Sequence, residues 1–187
     1  MIKYTVDDYK KLPHFDVTGL LWELIDGVFQ MSPLPTSVHQ KLNTRFILLL
    51  GYYFEKQKKQ CDVYAPLDVY LTKQSVIQPD ILIVCDKNKI SKRGCEGIPD
   101  LAIEILSKKT KQNDLPGGSK FKLYEKHKLK EYWIVDPLKE NNITLTQFVL
   151  ENNTLTQKQV YTKKDKFRSF LFTELEIDLS DVFALED

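Results

Sequence analysis

No stretch of this sequence is apolar over the ~18 to 20 residues needed to cross a bilayer. The N-terminal Met1-Ile2-Lys3-Tyr4-Thr5-Val6-Asp7-Asp8 also lacks the uninterrupted apolar segment of a secretory signal, so a cytoplasmic protein with no membrane partner is expected. Cysteine is scarce. Cys61, Cys85 and Cys95 are odd in number, widely spaced and form no Cys-x-x-Cys pair, which argues against a disulfide framework or a zinc knuckle and predicts reduced thiols. Neither sign of charge dominates: at a net +1 there is no global attraction to nucleic acid, and any affinity for phosphate must come from local charge. Internal repeats, low-complexity stretches and dividing linkers are missing too. What remains, 187 residues of which 42% are hydrophobic and 28% charged, is the composition of one globular domain spanning residues 1–187.

Local patterns supply the elements. Thr5 followed by Asp8 marks a capped helix over about Val6 to Leu12. Asp26-Gly27 between the apolar runs Leu20 to Ile25 and Val28 to Met31 predicts a hairpin, because its turn needs positive φ at the centre. Val38, Leu42, Phe46, Leu49 and Tyr53 form the stripe of an amphipathic helix from Ser37 to about Glu55, capped by Thr36 or Ser37. Val63-Tyr64, Leu67 to Leu71, Val76 to Cys85 and Leu101 to Leu106 read as strands. A second helix follows from Ser119 to Lys130, then a strand from Glu131 to Asp136 ending at Pro137. Ile143 to Leu150 and Leu155 to Tyr161 flank Asn152-Asn153 as a second hairpin, and an acidic tail closes the chain. Together these predict an α/β (α+β mixed) fold with a mixed β-sheet flanked by helices.

Two carboxylates break the apolar pattern. Asp80 follows Pro79 at the mouth of a strand, and Glu104 stands mid-strand, on the same face as Ala102 and Leu106. An ionised carboxylate among aliphatics costs several kcal/mol unless it is paired or on a metal. A shared Mg²⁺ or Mn²⁺ would compensate both, because these ions bind through one or two carboxylates, waters and substrate phosphate. Such an ion suits phosphodiester hydrolysis, with a lysine to orient or deprotonate the water. Lys120 is the candidate and Lys122 its rival. A buried ion pair would serve Glu104 as well, a local turn bond Asp80, and a solvated helix face the lysines.

The ordered series Trp22-Glu23-Leu24-Ile25-Asp26-Gly27, His39, Ala65-Pro66-Leu67-Asp68-Val69, Gln78-Pro79-Asp80, Pro99 to Ser107, Thr110, Lys120-Phe121-Lys122-Leu123-Tyr124 and Glu131 to Pro137 resembles the Uma-two family of restriction-type endonucleases, within the PD-(D/E)XK nuclease superfamily. The resemblance covers nearly the whole chain. It implies a restriction-endonuclease-like core of helix, three-stranded meander, helix and strand, with added β-hairpins. It implies Asp80 and Glu104 as metal ligands, the Ile105 carbonyl as a third, and Glu23 as an additional carboxylate. It also implies duplex DNA as substrate and a homodimer, since restriction-type nucleases commonly cut both strands as dimers. Leu106 stands where the superfamily motif has lysine, and the family resemblance moves that lysine to the following helix, at Lys120.

His39, near the start of the first long helix, points as a secondary residue toward the carboxylates, although a lone histidine is equally a structural one. Lys108, Lys109 and Lys111 after the Glu104 strand, and Lys122 and Lys126 on the next helix, concentrate positive charge for phosphate contacts. Tyr124 and Trp133, amid aliphatics, are assigned to packing. The competing function is a catalytically inactive DNA-binding or regulatory module on the same fold.

Overall fold

Pro79 divides the apolar run 76–85, because it has no N–H for a ladder and holds Gln78 extended. The chain uses that break to pass from one sheet to another. The computed structural model describes residues 3–12, 21–32, 34–138 and 142–184; Leu20 of the first hairpin and the acidic end of the tail, Glu186-Asp187, lie outside the described residues. In chain order the elements are α1 (Val6–Tyr9), β1 (Leu21–Ile25), β2 (Val28–Ser32), α2 (Ser37–Lys56), β3 (Asp62–Tyr64), β4 (Val69–Thr72), β5 (Ser75–Ile77), β6 (Ile81–Val84), β7 (Cys95–Glu96), β8 (Leu101–Ile105), α3 (Lys111–Asp114), α4 (Ser119–Lys126), β9 (Glu131–Asp136), β10 (Thr144–Glu151), β11 (Thr154–Thr162), β12 (Lys166–Arg168), β13 (Glu176–Asp178) and α5 (Leu179–Phe183).

The larger sheet has the order β11-β10-β9-β8-β6-β3 and the smaller β2-β1-β5-β4-β7. In the larger, β3, β6 and β8 form an antiparallel meander, and β9 joins β8 in parallel after α4. This is the expected core of helix, meander, helix and strand. The expectation of one stretch from Val76 to Cys85 is corrected, since β5 and β6 lie in different sheets.

Strand alternation divides the core in two. Leu42, Phe46, Leu50, Tyr53 and Phe54 of α2 pack on Ile81, Ile83, Leu101, Ile103, Ile105, Trp133 and Val135. Phe121, Leu123 and Tyr124 of α4 pack on Leu82, Val84, Ala102, Leu106, Tyr132 and Ile134, the opposite faces of the same strands. Glu104 belongs to this second face, which is why α4 can reach it. The helix α4 ends one turn before Lys130, as Lys128 takes a φ of 64°. Both hairpins form at the expected turns, with Asp26 and Gly27 at φ 49° and 81° and Asn152 and Asn153 at 48° and 67°.

One buried acid has a purely architectural role. Glu131, without solvent exposure, accepts from Trp133 Nε1, Gln147 Nε2, Ser169 Oγ and the main-chain N–H groups of Phe170 and Leu171. Five donors satisfy the carboxylate and anchor the C-terminal segment on the sheet. Among the cysteines, the expectation of three reduced thiols is corrected. Asp62 pairs with Val84 across β3 and β6, which sets Cys61 opposite Cys85 with Cα atoms 3.9 Å apart, and the two form a disulfide. Cys95 remains free and buried.

Candidate active site

The connection between the sheets, Gln78-Pro79-Asp80, delivers the first carboxylate. Because β6 begins at Ile81, opposite Ile103, the N–H of Ile105 has no strand partner on that side, and Asp80 Oδ2 accepts it at 2.7 Å. His39 enters from the first turn of α2, where Thr36 accepts its main-chain N–H, and its Nε2 lies 3.2 Å from the same Asp80 oxygen. Burial by itself lowers the His39 pKa, but the hydrogen bond and charge of Asp80 together with the Ile105 main chain outweigh it, and the imidazole is held above its ordinary value.

Lys120 lies at the centre of the remaining acids. Its ammonium is 2.6 Å from Glu104 Oε1, 3.1 Å from Glu23 Oε1 and 3.7 Å from Asp114 Oδ1, and it donates to the Gln78 carbonyl at 3.3 Å. Tyr124, four residues further along α4, donates its hydroxyl to the same Glu104 oxygen at 2.7 Å. Glu23, on the β1 strand of the smaller sheet, also accepts the Gln78 N–H at 2.7 Å. Lys120 reaches this position because Gly118 starts α4 hard against the preceding turn. A Cβ at 118 would lie 2.1 Å from the Gln112 carbonyl oxygen.

Burial pushes the Glu104 carboxyl upward, Lys120 opposes that, and Asp114, Asp80 and Glu23 reinforce it, so the net shift is well above the usual carboxylate range. Asp114 is likewise pushed up, to about 7, by burial first and then by Glu23 and Asp80 against the pull of Lys120. Lys120 itself is held in its charged form, as the attraction of Glu104, Glu23 and Asp114 exceeds the effect of burial. Three carboxylates thus share one ammonium while Asp80 lies against His39, which leaves the site short of positive charge. The donors are all hard oxygens, and this set fits a divalent cation of the kind that binds through one or two carboxylates and keeps several waters. Among the described residues, no three His, Cys, Asp or Glu side chains form a ready ligand cage.

These groups line a cleft of about 880 Å³. Of the residues named from sequence, Glu23, His39, Asp80, Glu104, Ile105 and Lys120 come together there, with Lys108 and Lys109 also on its wall. Lys111, Lys122 and Lys126 are not among its lining residues, and Lys122 and Lys126 point to solvent. Three residues were missed. Tyr124 packs as expected but also binds Glu104, and its i, i+4 spacing from Lys120 carried that signal. Gln78 acts through its main chain, and Asp114 lies in a connection whose path no periodicity reports.

No curated protein matches the chain. Among solved structures, a "putative nuclease belonging to DUF820" from Anabaena variabilis ATCC 29413 superposes with a TM-score of 0.73 at 20% identity, covering 96% of this chain and 97% of that one. At that identity the likeness is one of fold, a restriction-endonuclease-like architecture. The family model described as "Uma2: Putative restriction endonuclease" matches residues 6–180, and the chain belongs to that family.

Proposed function

We propose that this protein is a Mg²⁺- or Mn²⁺-dependent endodeoxyribonuclease that hydrolyses phosphodiester bonds of duplex DNA. The family supports a nuclease, and the observation that carries the finer reading is Lys120 Nζ at 2.6 Å from Glu104. Leu106 leaves strand β8 without a lysine at the motif position, and α4 supplies the ammonium to the same carboxylate. Asp80, Glu104 and the carbonyl of Ile105 would hold the ion. When bound, the ion polarises the scissile phosphate and lowers the pKa of a water.

The chain's own groups do the rest. Lys120 is held protonated by its acids, so it acts as a donor that orients the attacking water and stabilises developing phosphoryl charge, and not as the base. His39 steadies the Asp80 oxygen that Ile105 N–H also holds. Glu23 tethers Lys120 to the smaller sheet. Lys108 and Lys109 contact phosphates flanking the cut, and a homodimer would bring two such clefts to the two strands.

The test is cleavage of plasmid DNA by purified protein with Mg²⁺, Mn²⁺ or EDTA. Cleavage should require the metal, and Asp80→Ala and Glu104→Gln should each lower it by about a hundredfold or more. Salt-sensitive DNA binding with no metal-dependent cleavage would instead make the chain a binding module on a nuclease fold.

A further inference from the structure

Asp68 is buried and lies outside the lining of the cleft, yet its carboxylate ends a chain of contacts that leads into it. Its Oδ1 accepts Gln78 Nε2 at 2.5 Å and lies 3.0 Å from the Tyr9 hydroxyl, and its Oδ2 accepts the Tyr70 hydroxyl at 3.1 Å. Gln78 has one firm attachment on its side chain: Nε2 meets Asp68 and Tyr9, while Oε1 is buried without a partner. Its main chain touches both sides of the Lys120 cluster, giving its N–H to Glu23 and its carbonyl to Lys120. Tyr9 reaches the same place by a second route, its hydroxyl lying 3.0 Å from the carbonyl of Trp22, the residue before Glu23.

We propose that Asp68 is a positioning residue: by fixing the Gln78 side chain and Tyr9, it sets where the Gln78 main chain, Glu23 and the Lys120 ammonium stand. The physical reason is the isolation of the Gln78 amide. A carboxylate accepts from Nε2 and repels Oε1, so it dictates the orientation of an amide whose other end has no partner. Gln78 also begins the crossing from the smaller sheet to the larger, followed by Pro79, whose ring restricts Gln78 to extended conformations. Rotation of an unheld Gln78 would therefore be felt at both of its main-chain contacts. The kinetic part of this proposal rests on the nuclease reading; the structural part does not.

The experiment uses the full chain with Asp68→Ala, Asp68→Asn and Tyr70→Phe. Its first readout is the ¹H–¹⁵N spectrum of the lysine ammonium groups, with Lys120 assigned through its loss in Lys120→Arg. Asp68→Ala should shift or broaden the Lys120 signal. Asp68→Asn, whose Oδ1 still accepts from Gln78 Nε2, should leave it near its wild-type position. Should Asp68→Ala fail to fold, Tyr70→Phe, which removes one donor to Asp68, should give a smaller shift of the same kind. An unchanged Lys120 signal in Asp68→Ala, or in Tyr70→Phe where Asp68→Ala does not fold, overturns the proposal.

The second readout is cleavage kinetics. Asp68→Ala should lower kcat about tenfold or more with KM unchanged, with recovery in Asp68→Asn. Added to Gln78→Ala, it should cost nothing further, because both act through one amide. Fully additive losses would overturn the proposal. If wild-type protein cleaves no DNA, it is the nuclease reading that fails, and the ammonium spectrum alone decides on Asp68.

Discussion

Glu104 and Lys120 justify each other's burial. Each is about 4% exposed or less, and a buried charge is tolerated only when paired and hydrogen-bonded. Removing one partner strands the other, so Lys120→Met should cost about 3–5 kcal/mol of stability in urea unfolding at neutral pH as well as abolishing cleavage. Adding Glu104→Gln to it should restore part of that stability, since Glu23 and Asp114 also lose the ammonium, and none of the activity. If the double variant unfolds as easily as the single one, the pair is not the origin of the loss. At this scale the sequence was informative where chemistry conflicted with pattern. Asp80 and Glu104 were legible because carboxylates interrupt aliphatic runs. Asp114 was not, because its burial comes from the fold of the 107–118 connection, and Tyr124 concealed a polar contact inside an ordinary packing position.

Elements explain how a lysine on α4 reaches a carboxylate on β8. Two glycines with opposite surroundings, Gly118 at the N-cap of α4 and Gly51 within α2, separate the positional need from propensity. Gly118 is the first residue of the approach between α3 and α4, and Gly118→Ala should destabilise by about 3 kcal/mol, since the clash is with main-chain oxygens that cannot rotate away. Gly51 lies inside α2, where an added Cβ meets nothing within 4 Å. Gly51→Ala should therefore stabilise by about 0.5–1 kcal/mol through helix propensity alone. Urea midpoints at constant slope test both, and equal effects of the two substitutions would refute the contrast. The two long helices, both hairpins and the strands of the meander were legible from period and turn residues, whereas the short α3, β7, β12, β13 and α5 carried too few residues to show a period. The division of residues 76–85 between two sheets was not, because Pro79 announces a break without saying where the chain goes next.

At the scale of the whole molecule, the crowded acids leave a signature in stability against pH. Asp114, with a reference value of 3.8, is pushed up to about 7 in the folded protein. A group whose folded pKa is raised contributes stability that is fully present below its unfolded pKa and lost as pH rises through the folded one. Asp114 therefore favours the fold near pH 4 and progressively less toward pH 7 and above, and the upward shifts of Glu104 and His39 act in the same sense. Asp114→Asn should lose less stability than wild type between pH 4 and 8, measured as the difference between two thermal-melt series. Parallel curves would count against the buried-acid cluster. Among the described residues no helix is long and apolar enough to cross a membrane. The sequence by itself determined the long helices, the hairpins, the family and the two carboxylates that needed a partner, because periodicity, turn chemistry and the cost of buried charge are local properties. The tertiary structure alone decided that Lys120 and not Lys122 turns inward, that Asp114, Gln78 and Tyr124 complete the cluster, and that Cys61 meets Cys85. Those outcomes depend on which strands become neighbours, and strand neighbours are chosen by contacts between residues far apart in the chain.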